Sequence, residues 1–186
     1  MLHKIRNQLT PLCLIGVIAC LHATAGAEEI GLLELFNYYE YSDNLASSGQ
    51  PTREQLPAIK AAGIEAVVNL APVTDPGAIP EEGELFSALG IEYQHIPVDW
   101  EAPPLKDVKA FFDTMSSFHG KKILVHCYAN ARASAFVYLW RTHKLGDSGP
   151  EPRATMEKIW AHNEGYEFPN VPQWQALVKA AAARDW

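Results

Sequence analysis

Cysteine is scarce in this chain and poorly placed for disulfides: there are three, Cys13, Cys20 and Cys127, and the first two fall in the N-terminal segment. Basic charge is also short, with 15 Lys and Arg against 22 Asp and Glu and a net charge of −7. Without a basic stripe, nucleic acids and anionic membrane surfaces are poor partners. No apolar run reaches the roughly 20 residues that a membrane-spanning helix needs. Nor do His95, His119, His143 and His162 fall at metal-ligand spacing. No internal repeat or second domain is visible. What remains, at 48% hydrophobic and 20% charged, is the composition of an ordinary globular domain.

The longest apolar run, Leu12 to Leu21, spans ten residues and follows the basic His3, Lys4 and Arg6. Ala25-Gly26-Ala27 then supplies small residues of the A-x-A kind. Basic flank, short apolar stretch and small-residue exit make residues 1–27 a secretory signal peptide, so export to the periplasm or beyond is expected. Val17 to Cys20 also has the form of a lipobox, which leaves a lipid anchor on Cys20 as the alternative. Removing 27 of 186 residues leaves 159 as a single domain, 28–186, and takes the charge from −7 to about −9 as Lys4 and Arg6 leave. Cys127 is then alone. An unpaired thiol in an oxidising compartment is a liability unless it is buried or used.

Along the domain, residues 28–51 look irregular. Thr52 is a plausible N-cap for a helix that stops at Gly63, with Pro57 set awkwardly inside it. Residues 64–70 have the β-branched content of a buried strand, and 71–80, with three prolines and a glycine, form a loop. A short helix over 81–89, a strand over 91–98 and a loop over 99–104 follow. Then come an amphipathic helix over 105–118, a strand over 122–126 and a helix over 132–143 that is apolar on nearly every side. Helices near 153–163 and 172–183 close the chain. Such alternation predicts an α/β fold, with a mostly parallel sheet flanked by helices.

The chemistry concentrates where the strand ending in His126 meets Cys127, the loop Tyr128-Ala129-Asn130-Ala131 and the helix opened by Arg132. A strand end before a helix N-terminus is where open α/β sheets bind ligands. Loop N–H groups turned inward, the helix dipole and the planar Arg132 fork all favour a thiolate over a thiol and suit a tetrahedral dianion. Cys127 is therefore a candidate for covalent phosphoryl transfer.

Here the sequence resembles the protein tyrosine phosphatase superfamily, whose signature is H-C-x5-R-[ST] on a strand, loop and helix. Ser48-Gly49-Gln50-Pro51 through Val67-Val68-Asn69-Leu70 is similar to the start of bacterial dual-specificity phosphatases, and the order of elements from about 45 to 180 fits them. The resemblance implies Cys127 as nucleophile, Arg132 with the 128–131 amides as phosphate cradle, and His126 as the neighbour that tunes the thiol. It also implies an aspartate acid on a loop after an earlier strand, for which Asp99 is the candidate and Glu101 the runner-up. No cofactor or metal is implied, and a monomer acting on a phosphorylated substrate is expected.

Three departures stand out. Four residues, not five, separate Cys127 from Arg132; the loop has no glycine; and Ala133 takes the place of the hydroxyl residue, with Ser134 one position later. Asn130 can adopt the left-handed conformation that a glycine would otherwise supply. The short spacing also occurs in rhodanese-type sulfurtransferases and in beta-lactamase-hydrolase-like phosphatases, of which the latter share the G-Q-P segment. Sulfur transfer and phosphate binding without turnover are thus the rival functions. Of the remaining polar residues, Asp75, Glu81, Glu82 and Glu84 are expected to face solvent, and Trp160, Tyr166, Phe168 and Trp174 to pack the terminal helices.

Overall fold

A computed structural model describes residues 31–186. The export segment 1–27 and the alternative anchor at Cys20 lie outside those residues. The chain forms β1 (Tyr39–Ser42), β2 (Leu45–Ser48), α1 (Leu56–Ala61), β3 (Ala66–Asn69), α2 (Glu82–Ala88) and β4 (Glu92–His95). It continues through α3 (Leu105–Ser117), β5 (Ile123–His126), α4 (Ala131–Trp140), α5 (Glu151–Trp160) and α6 (Pro172–Ala182).

The five strands make one sheet in the order β1-β2-β5-β3-β4, with β1 antiparallel to β2 and every other pairing parallel. The expected α/β architecture is therefore present. The β1–β2 hairpin corrects the reading of 28–51 as irregular. Its strands are four residues each, too short for a period-two pattern to stand out.

Successive side chains of a strand point to opposite faces, and the core follows that rule. Val68 and Val125 join Phe111, Phe136 and Trp174 beneath α3, α4 and α6, while Val67 and Leu124 join Ile59 and Phe86 beneath α1 and α2. With helices on both faces, the central strands β3 and β5 are buried at every position. Helix α4, apolar nearly all round, buries Ala131 through Val137 and Leu139, as its composition predicts.

Local signals set the boundaries. Thr52 and Gln55 form a reciprocal capping box, and Pro57 falls in the first turn of α1, where its missing N–H costs nothing. A single-turn 3-10 segment over Arg53–Gln55 precedes it, so Pro57 restarts the helix rather than breaking it. Beyond α4, a wider turn over Arg141–Leu145 carries the helix to Gly146. Among the described residues no helix is long and apolar enough to cross a membrane.

Candidate functional site

Cys127 is the first residue past β5, the central strand, with its N–H donating to the Ser48 carbonyl of neighbouring β2 at 3.3 Å. Its thiol is free and the residue is 1% exposed, yet it lies at the floor of an open pocket of about 1000 Å³. The loop beyond it is held from outside through its carbonyls. Tyr128 O accepts the Gln50 N–H at 3.0 Å, and Ala129 O accepts Asn37 Nδ2 at 3.1 Å. Asn130 O accepts both the Ser134 N–H at 3.0 Å and the Ser134 hydroxyl at 2.7 Å. Among the described residues, the N–H groups of Tyr128, Ala129, Ala131 and Arg132 have no protein acceptor. Such donors are rarely left idle when buried, and four at the head of a helix suit an anion.

Asn130 makes the tight turn possible. It sits at φ 68°, in the left-handed region that an asparagine can adopt, and its Nδ2 donates to Asn37 O at 2.6 Å. Asn37 is itself left-handed at φ 49° and bridges Ala129 O to Ile159 O, so two asparagines brace the loop against α5. On the other side Gly49 allows close approach, because a Cβ there would lie 2.7 Å from the Phe36 ring and 2.9 Å from Tyr128 O. Ser134, buried in α4, fastens the loop to the helix rather than facing the pocket.

Arg132 is 6% exposed and reaches the pocket. Its Nη1 donates to Asp75 Oδ2 at 2.8 Å, and its guanidinium lies 5.3 Å from the Trp100 ring centre. Its Nε is buried without a protein partner. A guanidinium fixed at one corner and over one face offers its remaining N–H groups to a ligand oxygen. Trp100 is stacked on Trp160 at 5.6 Å and edges Tyr166 at 5.8 Å, while its carbonyl accepts Trp174 Nε1 at 3.0 Å. Trp160, Phe168 and Trp174 are thus packing residues, as read from the sequence, whereas half-exposed Tyr166 lines the pocket with Phe36 and Tyr128.

Asp99 directly precedes Trp100 but is exposed and is not among the pocket-lining residues. Its Oδ1 accepts the N–H groups of Glu101 at 2.8 Å and Ala102 at 3.2 Å, and Glu101 is exposed as well. The carboxylate nearest the arginine is Asp75, which the sequence reading left in solvent. Three prolines and a glycine between 72 and 80 mark that segment as a loop but do not show which way it folds.

A second correction concerns Glu82, also assigned to solvent: it is 1% exposed. Its Oε1 accepts Gln50 Nε2 at 2.6 Å, and its Oε2 accepts Asn69 Nδ2 at 2.7 Å and the Tyr93 hydroxyl at 2.9 Å. His126 Nε2 stands 3.4 Å from the same Oε2. Burial pushes the Glu82 carboxyl up, but His126, Tyr93 and Gln50 outweigh it and hold the group below the usual carboxylate range. Burial, reinforced by Glu82, raises the Tyr93 hydroxyl. Among the described residues no group of His, Cys, Asp and Glu is placed to hold a metal ion.

Comparison with known proteins follows the same outline. Residues 38–166 match the family model described as a dual-specificity-type (DSP-PTPase) phosphatase fused to NAD+ kinase. A DUF442 protein of Shewanella putrefaciens CN-32, assigned to the phosphatases, is 37% identical with a TM-score of 0.74, over 83% of this chain and 94% of its own. TpbA of P. aeruginosa shares the fold at a TM-score of 0.59 and 16% identity, over 78% and 84% of the two chains. The beta-lactamase hydrolase-like protein of Agrobacterium fabrum is 27% identical over 145 residues, which are 75% of this chain and 32% of that protein. This chain thus spans about a third of the length of the curated relatives it matches.

Proposed function

The chain belongs to the DSP-PTPase phosphatase family, and from that membership we propose that it is a cysteine-dependent phosphomonoester hydrolase working through a phosphocysteine. The observation that carries this reading is the loop after β5, whose Tyr128 and Ala129 carbonyls are held by Gln50 and Asn37 and whose Asn130 carbonyl is held by Ser134. The amide N–H groups of Tyr128, Ala129, Ala131 and Arg132, and Arg132 Nε, have no protein partner among the described residues, and those residues line the same pocket as Cys127. Donors fixed before a reaction stabilise charge as it develops without reorganising, which is the main source of transition-state stabilisation at such sites.

In the proposed sequence, the Cys127 sulfur attacks phosphorus in line with the ester oxygen. The S–P bond forms as the P–O bond breaks, and the leaving oxygen takes a proton. Asp99 supplies it: the residue adjoins Trp100, whose ring lies over the Arg132 guanidinium, and opening the turn closed by its Oδ1 frees the carboxyl. Water, giving its proton back to Asp99, then attacks phosphorus and releases inorganic phosphate and the thiolate. Asp75 keeps Arg132 aimed. Residues 1–27 would deliver the enzyme, as a monomer, to the periplasm.

The test is turnover of an aryl phosphate by the purified protein beside Cys127→Ser. Activity in the parent and none in the variant supports the nucleophile; equal turnover refutes it. Transfer of sulfur from thiosulfate to cyanide, or vanadate binding with no turnover, would favour the sulfurtransferase or the pseudophosphatase instead.

A further inference from the structure

The buried Glu82 has no place in the steps above, and an uncompensated carboxylate in a protein interior costs several kcal/mol. Its four neighbours come from four different segments. Gln50 belongs to the loop after β2, Asn69 ends β3, Tyr93 lies in β4 and His126 ends β5. Three of them are neutral hydrogen-bond donors. The fourth, fully buried His126, has no hydrogen-bond partner at either ring nitrogen among the described residues, and its Nε2 is 3.4 Å from Glu82 Oε2. That separation is within ion-pair reach, so the imidazole can provide the positive charge that the carboxylate lacks. His126 is also bonded through the backbone to Cys127.

We propose that Glu82 is a positioning residue that acts on Cys127 through His126. Glu82 remains a carboxylate and favours a proton on the ring, which puts positive charge on the residue adjoining Cys127 when the sulfur is anionic. Carboxylates that fix and polarise a histidine bonded to a reactive centre do the same work around metals, and a neighbouring imidazolium is among the surroundings that favour a thiolate. Gln50 extends the arrangement to the pocket. Its Nε2 is held by Glu82 while its backbone N–H clamps Tyr128 O, so the carboxylate also ties the G-Q-P segment to the loop.

This inference rests on the reading of Cys127 as nucleophile, but its test needs no turnover, so the two can fail separately. The readout is the rate at which iodoacetamide alkylates Cys127 at one fixed, mildly acidic pH. Glu82→Gln keeps size and polarity but removes the charge. It is expected to slow alkylation about tenfold, whereas Glu82→Asp restores the rate to within about threefold of the parent. Tyr93→Phe removes one hydrogen bond from the same carboxylate and leaves the charge; it should alter the rate less than about twofold, even where it lowers Tm. In a His126→Asn background, Glu82→Gln should have almost no further effect.

Parent-like alkylation in Glu82→Gln overturns the proposal. So does an equal loss in Tyr93→Phe, or a tenfold loss that persists without His126. Should Glu82→Gln fail to fold, His126→Asn alone decides: a rate about tenfold down supports the relay, and a parental rate ends it.

Discussion

Two loops leave the C-terminal ends of β5 and β4, the strands on either side of β3, and they are built in opposite ways. The 128–131 loop after β5 has its Tyr128 and Ala129 carbonyls held by Gln50 and Asn37 and its Asn130 carbonyl by Ser134 of α4, is braced by Asn37 and Asn130, and closes against Gly49. The 99–104 loop after β4 is fastened at one residue, Trp100, by an aromatic cluster and a carbonyl bond from Trp174, while Asp99 and Glu101 stay exposed. A site that must stabilise charge needs fixed donors, and one that must deliver and recover a proton can use a side chain that moves. The contrast thus sets a loop braced on several sides against one fastened at a single residue.

Substitutions can break that contrast, beginning where the effect is largest. Cys127→Ser should lower kcat on an aryl phosphate by on the order of 10⁴-fold while leaving Tm within a few degrees, read by steady-state kinetics and thermal melts. Arg132→Lys keeps the charge and loses the fork, so kcat/KM should fall about 10²–10³-fold. Asp99→Asn and Asp75→Asn sharpen the assignment of the two carboxylates. Losing the acid should cut kcat about 10²-fold and flatten one limb of the pH–rate profile, whereas losing the Asp75 contact should act mainly through KM. A kcat loss with a flattened limb in Asp75→Asn alone would transfer the acid role there.

A smaller effect concerns the rigid loop itself. Asn130→Ala forfeits the Nδ2 bond to Asn37 O and strains a left-handed residue, which should destabilise the fold by about 1–3 kcal/mol in denaturant titration. Glu101→Ala should cost no more than about 0.5 kcal/mol, the range for exposed positions. Smallest is a pH effect from Glu82. Its carboxyl is depressed in the folded state, so its stabilisation is present above the ordinary unfolded value of about 4.3 and is lost as pH falls through the folded one. The acid limb of Tm against pH should therefore be shallower in Glu82→Gln.

The same contrast explains what could be read from the sequence. The β5–loop–α4 unit was legible because its signals are local: a β-branched strand, His-Cys, a nearby arginine and an all-apolar helix lie within about twenty consecutive residues. Asn130 as the turn residue was legible for the same reason. Glu82 was not, because an acid at a helix start has one appearance whether water or protein surrounds it. Its burial is decided by partners at positions 50, 69, 93 and 126. Asp75 is similar, placed by an arginine 57 residues away. The β1–β2 hairpin escaped because four-residue strands are too brief to show periodicity.

The most direct test of the cradle is the structure of the protein with orthovanadate, which mimics the phosphorus centre midway through transfer. The account predicts vanadium bonded to the Cys127 sulfur, with its oxygens within about 3 Å of the N–H groups of Tyr128, Ala129, Ala131 and Arg132 and of Arg132 Nε. An empty pocket at saturating vanadate would contradict it, as would an ion bound away from the sulfur with Arg132 Nε still unpartnered.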